Sequence, residues 1–519
     1  MHVTDMFYLG ARHHPERLAF TGEGGDFTYD AARRMANRIA HAARAKGIGI
    51  GSRFAVLSPN CGPAMIAQIG AMRAGAAWCN LNLRNTLEGN VDILARGHVD
   101  VLFYHSSVSE QLPSFKAGVS SLSHTVCLDA EDANGPSLAQ WCADQPDSDP
   151  GFTIPVDAFG MQGATGGTTG QPKLTQSDNH WLFMSNMGWA ICLHHTAPPV
   201  NLAVTPITHA GGMVAMAQWA HGGTSVMMAQ VDLEKILQTI QSHRVTTIFL
   251  PPTVIYMLLA HPKLKAYDTS SLEYLISAAA PLAPEKIAEA VGALGPVVCQ
   301  AFGQTEAGFP LTFMSTHETA EAVADPAKRH RLLSCGRQTP VVEAMEVMDE
   351  EGRILGPDEV GEIVLRAPST MKEYLDDPAA TAEIKKFGWL HTGDIGYRDG
   401  DGYWYITDRK RDMIVSGGFN IFPFEIESVL MSHPAVQDCA VVGVPDEKWG
   451  EAVKAVVQLA PGKSADRDEL IALCREKLGG MKTPKSIDVW DDLPRSPVGK
   501  VLKREIRKAF WEGKGRSVG

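Results

Sequence analysis

The chain lacks several features that would assign it to other classes. It has no surplus of positive charge. Its 47 Lys and Arg against 59 Asp and Glu leave a formal net charge of −12, which argues against broad nucleic-acid binding because that needs a basic face. Its nine cysteines are scattered, with no C-x-x-C pair and no Cys/His cluster. Neither a disulfide framework nor a zinc site is indicated, and reduced thiols are expected. No run of 18 uncharged apolar residues occurs, so no transmembrane helix is predicted. Met1-His-Val-Thr-Asp5 carries no basic stretch followed by an apolar one, and Arg516-Ser-Val-Gly519 matches no lipidation or retention signal. A soluble, cytoplasmic protein is expected, and the sequence leaves open whether it assembles as a homo-oligomer.

At 519 residues the chain exceeds what one core holds and implies roughly two to four domains. Residues 53–104 alternate strand and helix patterns. Phe54-Ala-Val-Leu57 reads as a buried strand. Met65, Ile69 and Met72 recur at helical spacing up to a stop at Gly75, and Val99-Asp-Val-Leu-Phe-Tyr104 reads as another strand. This pattern predicts a parallel sheet with helices on its faces. Residues 131–157, rich in Asp, Pro, Ser and Gly, read as an exposed connection. The alternation then returns over 201–300, with Leu202-Ala-Val204, Thr246-Thr-Ile-Phe-Leu250 and Tyr274-Leu-Ile276 as strands. From about 335 short strands and turns take over: Val341-Val342 through Met345-Glu-Val-Met348, Gly361-Glu-Ile-Val-Leu365 and Gly402-Tyr-Trp-Tyr-Ile406, with a tight turn at Asp399-Gly-Asp-Gly402. Strands at 438–443 and 452–457 and an amphipathic helix over 467–478 complete the chain. The predicted class is α/β. A large N-terminal domain, 1–409, holds two doubly wound α/β subdomains plus a small β-barrel, and a small α+β domain, 410–519, follows.

The most informative stretch is Gly163-Ala-Thr-Gly-Gly-Thr-Thr-Gly-Gln-Pro-Lys173. So many glycines cannot hold a helix or pack a core, but they let backbone N–H groups turn inward and bind anions. Threonine hydroxyls add donors and Lys173 adds a positive point charge, so the expected ligand is a polyphosphate. The spacing excludes a Walker loop, because Lys173 follows Pro172 and precedes Leu174, and the dinucleotide fingerprint G-x-G-x-x-G is absent.

Thr165-Gly-Gly-Thr-Thr-Gly-Gln-Pro-Lys-Leu174 resembles the signature loop of the adenylate-forming superfamily: acyl-CoA synthetases, luciferases and peptide-synthetase adenylation domains. Its usual form is Thr-Ser-Gly-Thr-Thr-Gly-x-Pro-Lys-Gly, and the glycine at 166 is a variant shared with fatty-acyl-CoA synthetases. Five further segments resemble motifs of the family. Ala301-Phe-Gly-Gln-Thr-Glu306 resembles Tyr-Gly-x-Thr-Glu; it reads as a turn after a strand at 297–299, where the carboxyl end of a parallel strand faces the ligand crevice. Ser277-Ala-Ala-Ala-Pro-Leu282 resembles the Gly-Gly-Ala-Pro-Leu turn. Trp389-Leu-His-Thr-Gly-Asp394 and Asp408-Arg-Lys-Arg-Asp412 resemble the ribose-binding and hinge segments. Pro494-Arg-Ser-Pro-Val-Gly-Lys500 resembles the segment that ends in the catalytic lysine.

The resemblance implies roles for particular residues. The nucleotide would be held by Thr165, Gly166, Gly167, Thr168, Thr169, Gly170 and Lys173. Ala279, Ala280 and Pro281 would border adenine, with Ala301, Phe302, Gly303, Gln304 and Thr305 beside it. Phe302 would lie against adenine, Thr305 would bond the α-phosphate, and Asp394 and Arg409 would meet the ribose. Glu306 and Thr168 would hold Mg²⁺. Lys500, Thr305 and His209 would form the reacting centre, His209 as a wall of the acyl pocket. Arg411 would be the hinge of a mobile C-terminal domain, and Ser416, Gly417 and Gly418 would admit the pantetheine arm of coenzyme A. The implied activity is acid–thiol ligation: ATP-dependent adenylation of a hydrophobic carboxylic acid, then transfer of the acyl group to coenzyme A. An enzyme that loads a carrier protein, a luciferase-like oxygenase and a nucleotide-binding pseudoenzyme are the alternatives. The last would be expected to lose Lys500 or Glu306, and both are present.

Overall fold

Short apolar runs separated by helical patterns build two mostly parallel sheets in a computed structural model of the chain. The structure describes residues 1–165, 172–278, 280–410, 412–416, 419–446, 448–495 and 501–511. The first sheet has seven strands. Phe159–Ala164, Ala77–Cys79, Arg53–Leu57, Val101–Tyr104 and His124–Cys127 lie side by side and parallel, and Leu174–Asp178 and Glu373–Tyr374 extend it antiparallel. The second has nine. Val298–Gln304, Tyr274–Ser277, Thr247–Leu250, Val200–Ala203, Thr224–Met227 and Leu18–Gly22 run parallel, with antiparallel strands at both edges.

The helix Gly62–Arg73 is buried almost all round, as a helix must be when layers cover it on every side. Its Gly70 lies against Ile39 of the helix Tyr29–Ala45, where a Cβ would approach Ile39 Cβ to 2.6 Å. It ends at Gly75, whose φ of +94° suits glycine. A continuous core that includes Phe7, Phe20, Phe54, Trp78, Trp189 and Trp219 joins both sheets. Burying each such side chain contributes about 1.5–3 kcal/mol, so the two subdomains share one interior.

The predicted strands are present with shifted ends, and strands that the sequence reading did not mark join them from distant parts of the chain. Leu18–Gly22 pairs in parallel with Thr224–Met227 and belongs to the second sheet rather than the first. Glu373–Tyr374, far along the chain, returns to the first sheet against Leu174–Asp178. The small antiparallel element is a four-stranded sheet of Ala344–Met348, Gly361–Arg366, Leu390–Arg398 and Trp404–Arg409. A bridge between Arg337 and Tyr403 joins it to the edge of the nine-stranded sheet. A further sheet contains Val436–Asp446, Gly450–Leu459, Ser486–Val489 and the hairpin Ile414–Ser416/Phe419–Ile421. It packs with the helices Pro423–Met431 and Arg467–Leu478 into a separate core around Ile426, Val441, Val453 and Leu470. The chain is thus a large N-terminal α/β domain with a smaller C-terminal one. Among the described residues no helix is long and apolar enough to cross a membrane.

Candidate active site

The crevice forms where the carboxyl ends of parallel strands from both sheets meet, the position that favours ligands in open α/β folds. In the seven-stranded sheet, Phe159–Ala164 leads into the glycine-rich loop and Leu174–Asp178 leads out, paired antiparallel with Ala164 opposite Leu174. The hairpin closes at its base where Thr165 N donates to Lys173 O at 2.8 Å. Gly166, Gly167, Thr168, Thr169 and Gly170 lie outside the described residues.

The motif at 301–306 is not a turn from its start, as the sequence suggests. Ala301, Phe302, Gly303 and Gln304 continue the strand Val298–Gln304, and only Thr305–Ala307 turn before the strand Gly308–Met314. Strand pleating then sends neighbours to opposite faces. Phe302 is buried in the apolar cluster with Leu311, Val342 and Trp404, which leaves little of its ring for a nucleobase. Gly303 lies under Phe309, and a Cβ there would come within 2.5 Å of Phe309 Cδ2. Gln304 Nε2 is buried with no partner among the described residues.

The two subdomains touch through Thr305. A Cβ on Gly163 would overlap the Thr305 methyl and crowd Thr175 Oγ1 at 2.9 Å. Glu306 is gripped from the segment that follows the small antiparallel sheet's second strand. Met371 N donates to Glu306 O at 2.8 Å, Ser369 Oγ donates to Ala307 O at 2.8 Å and Tyr374 Oη donates to Glu306 Oε1 at 2.9 Å. Lys173 Nζ lies 4.8 Å from the centre of the Tyr374 ring and 3.8 Å from Asp377 Oδ2.

Across the crevice, Asp394 and Arg409 are cross-strand partners, with Arg409 Nε 2.7 Å from Asp394 Oδ1. Asp394 is almost fully buried. The turn before it is held by Glu362, whose carboxylate accepts Gly393 N at 3.1 Å and lies 3.2 Å from both Lys410 Nζ and His391 Nδ1. Lys173, Gln304, Glu306, Tyr374, Gly393 and Arg409 line one cleft of about 650 Å³.

Other sequence candidates are not among the residues that line this cleft. Ala280 and Pro281 are exposed beyond the strand Tyr274–Ser277, and Ala279 lies outside the described residues. His209 precedes the helix Ala210–Ala217, with Nδ1 3.1 Å from Thr208 Oγ1. Burial lowers its pKa to about 4, so it is a neutral imidazole at physiological pH. Ser416 sits in the C-terminal hairpin, opposite Gly450. Beside it Phe419 and Trp449 are exposed at 54% and 42%, an apolar patch around a loop whose Gly417 and Gly418 are outside the described residues. Arg411 and Lys500 are also outside them.

Two groups were not legible in the sequence. Tyr374 had no motif to mark it. Glu362 is marked only as an acid within an apolar strand, and its three partners come from distant segments. A third group lies at the domain junction: Asp408 Oδ2 accepts Phe424 N at 3.0 Å, and Lys503 Nζ lies 2.8 Å from Glu427 Oε1. Burial raises the pKa of both carboxyls.

The residues present fit a nucleotide with a hard cation. Lys173 at the hairpin base, the Glu306 carboxylate and Arg409, itself paired with Asp394, line the same cleft. Among the described residues no cluster of three His, Cys, Asp or Glu could cage a metal. A lone Glu306 suits Mg²⁺, which is commonly held by one or two carboxylates plus substrate phosphates.

Comparison with known proteins agrees with this geometry. Residues 7–375 match the AMP-binding enzyme family and 425–500 match the AMP-binding enzyme C-terminal domain. A medium/long-chain-fatty-acid–CoA ligase of Mycobacterium tuberculosis is 39% identical over 68% of the chain and 62% of its own length. A feruloyl-CoA synthase of Amycolatopsis is 34% identical over 96% of the chain and 97% of its length. Among solved structures, the amide bond synthetase McbA from Marinactinospora thermotolerans superposes with a TM-score of 0.87 at 29% identity, covering 98% of this chain and all of that one. The chain belongs to the AMP-binding enzymes, the adenylate-forming superfamily that its motifs resemble.

Proposed function

We propose that the protein is an AMP-forming acyl-CoA synthetase acting on a hydrophobic carboxylic acid. The observation that carries this is the convergence of the Lys173 hairpin base, the Thr305-Glu306 turn and the Asp394–Arg409 pair on one crevice. In this reading the acid's carboxylate oxygen attacks the α-phosphorus of ATP, and the bond from that phosphorus to the bridging oxygen breaks. Pyrophosphate leaves and acyl-adenylate remains. The thiolate of coenzyme A then attacks the acyl carbon, the bond to phosphate oxygen breaks and AMP leaves. Mg²⁺, when bound, would neutralise charge on the phosphates.

The chain's own residues position and stabilise charge. Lys173 and the loop Gly166–Gly170 hold the distal phosphates, Thr305 donates to the α-phosphate, and Asp394 accepts from the ribose hydroxyls with Arg409 orienting it. Lys500 places a cation where carboxylate and phosphate meet. Domains 1–409 and 410–519 would turn about Arg411 between the two steps, bringing Ser416, Gly417 and Gly418 to the site in the second. Exposed Phe419 and Trp449 beside that loop support a surface against which the arm can pack.

A hydrophobic acid is favoured by the aromatic group beside Gly303. Phe309 meets Trp189 edge-on at 4.7 Å and Phe249 at 6.4 Å, and His209 is neutral. A panel of acids from acetate to dodecanoate and aryl acids, followed by pyrophosphate release, tests this; the hypothesis fails if acetate equals or exceeds all others in kcat/KM. Thioester formation with coenzyme A tests the acceptor. An amine acceptor, as the name of the McbA neighbour suggests for that protein, would appear as amide formation without coenzyme A. All nine cysteines are free thiols, which supports a reducing, cytoplasmic setting.

A further inference from the structure

Glu306 presents its two carboxylate oxygens unequally. Oε1 accepts the Tyr374 hydroxyl at 2.9 Å. Oε2 accepts no hydrogen bond from any described residue, and the side chain lines the cleft. Tyr374 is itself held rigidly. Its strand pairs with Leu174–Asp178, with Tyr374 opposite Thr175. Its backbone N donates to Thr381 Oγ1 at 2.9 Å, and its ring lies under Lys173 Nζ. It is 8% exposed.

From this arrangement we propose that Tyr374 is a positioning residue that restricts Glu306 to one-oxygen metal coordination and thereby selects Mg²⁺ over Ca²⁺. This rests on the reading of Glu306 as the metal-binding carboxylate. Mg²⁺ demands near-octahedral geometry with short, single-oxygen bonds, whereas Ca²⁺ is larger and readily takes both oxygens of one carboxylate. A hydroxyl held on Oε1 occupies one of that oxygen's two lone pairs and draws charge from it, which disfavours Oε1 relative to Oε2 as a metal ligand. It also fixes the carboxylate plane, as outer hydrogen-bond partners of metal ligands generally do. Because Tyr374 lies between Lys173 and Glu306, it ties that plane to the base of the phosphate-loop hairpin.

The test is calorimetric titration of ATP, without acid or coenzyme A, into the full-length protein in MgCl₂ and separately in CaCl₂. The proteins compared are wild type, Tyr374→Phe and Glu306→Gln. Tyr374→Phe keeps the ring beneath Lys173 and removes only the donor. It should narrow the ratio of Mg²⁺-supported to Ca²⁺-supported ATP affinity about tenfold, the lower end for losing an outer partner of a metal ligand. Should Tyr374→Phe prove unstable, Tyr374→Trp, whose indole N–H cannot reproduce the hydroxyl position, is measured in the same way. An unchanged ratio, or equal weakening with both metals, overturns the proposal and leaves Tyr374 a structural residue. Glu306→Gln separates the two ideas. If it leaves the metal dependence of ATP binding intact, the metal-ligand reading is wrong and the proposal falls with it. If it weakens binding in both metals while Tyr374→Phe leaves the ratio fixed, only the positioning role is lost.

Discussion

Asp394 and Arg409 face each other across two antiparallel strands, joined at 2.7 Å from Nε to Oδ1. The aspartate is nearly buried while the arginine is about a third exposed, with side-chain values of 3% and 31%. Arg409 therefore lines the cleft as a cation with room to turn, anchored on a buried carboxylate. Arg409→Gln should lower the unfolding free energy by about 1.5–3 kcal/mol, the range for hydrogen bonds to charged groups, and weaken ATP binding. Urea denaturation and equilibrium ATP titration measure the two effects. Unchanged ATP affinity in a folded variant would remove Arg409 from the site.

Gly163 and Thr305 make a second contact of this kind, between the two subdomains. Because a Cβ on Gly163 would overlap the Thr305 methyl, Gly163→Ala should displace the turn that carries Glu306. Overpacking of this type costs about 1–3 kcal/mol, and adenylation should slow with it. Thr305→Ser in the same chain removes the colliding methyl but keeps the hydroxyl. It should restore part of both activity and stability, the remainder being set by Thr175 Oγ1. No recovery in the double variant would mean that the clash lies elsewhere.

His2 and His209 predict how stability responds to acid. Burial lowers both pKa values to about 4, from an ordinary value of 6.5. The unfolded chain therefore binds more protons than the folded one between about pH 6.5 and 4, and stability must fall as pH falls through that window. Each group contributes at most about 1.4 kcal/mol per pH unit. His2 caps the first helix, accepting Thr4 N at 3.3 Å, with Nε2 3.1 Å from Asn179 Oδ1. His2→Asn keeps a good cap and should flatten the dependence of thermal unfolding on pH in that range. A dependence as steep as wild type would show that His2 does not titrate on unfolding.

Separable half-reactions test the proposed swing of the C-terminal domain. If Lys500 acts while the carboxylate attacks ATP, Lys500→Ala should slow acyl-adenylate formation ~10²–10³-fold. The same variant should still convert preformed acyl-adenylate and coenzyme A to thioester at a near-normal rate. Gly417→Leu and Arg411→Pro should do the reverse, leaving pyrophosphate release while thioester formation fails. Equal loss of both half-reactions in all three folded variants would leave one conformation sufficient.

The sequence alone determined what depends on local order. Apolar runs such as Phe54–Leu57 and Thr246–Leu250 had to be strands, and the residues of 467–478 a helix, because period and propensity act over neighbours. The composition of the glycine-rich stretch pointed to an anion loop, and the motifs were enough to indicate the family.

Only the tertiary structure decided what depends on distant partners. Leu18–Gly22 could not be assigned to its sheet from the sequence, because its neighbour Thr224–Met227 is chosen by packing rather than by proximity along the chain. The family motif at 301–306 was found, but its strand pleating, which buries Phe302, depends on pairing with Gly308–Met314. Tyr374 and Glu362 had no signature, since each earns its place through hydrogen bonds to segments far away in sequence. A hydrogen bond of 2.9 Å depends on where two side chains finish in space, and that position is fixed only when the whole core has closed around them.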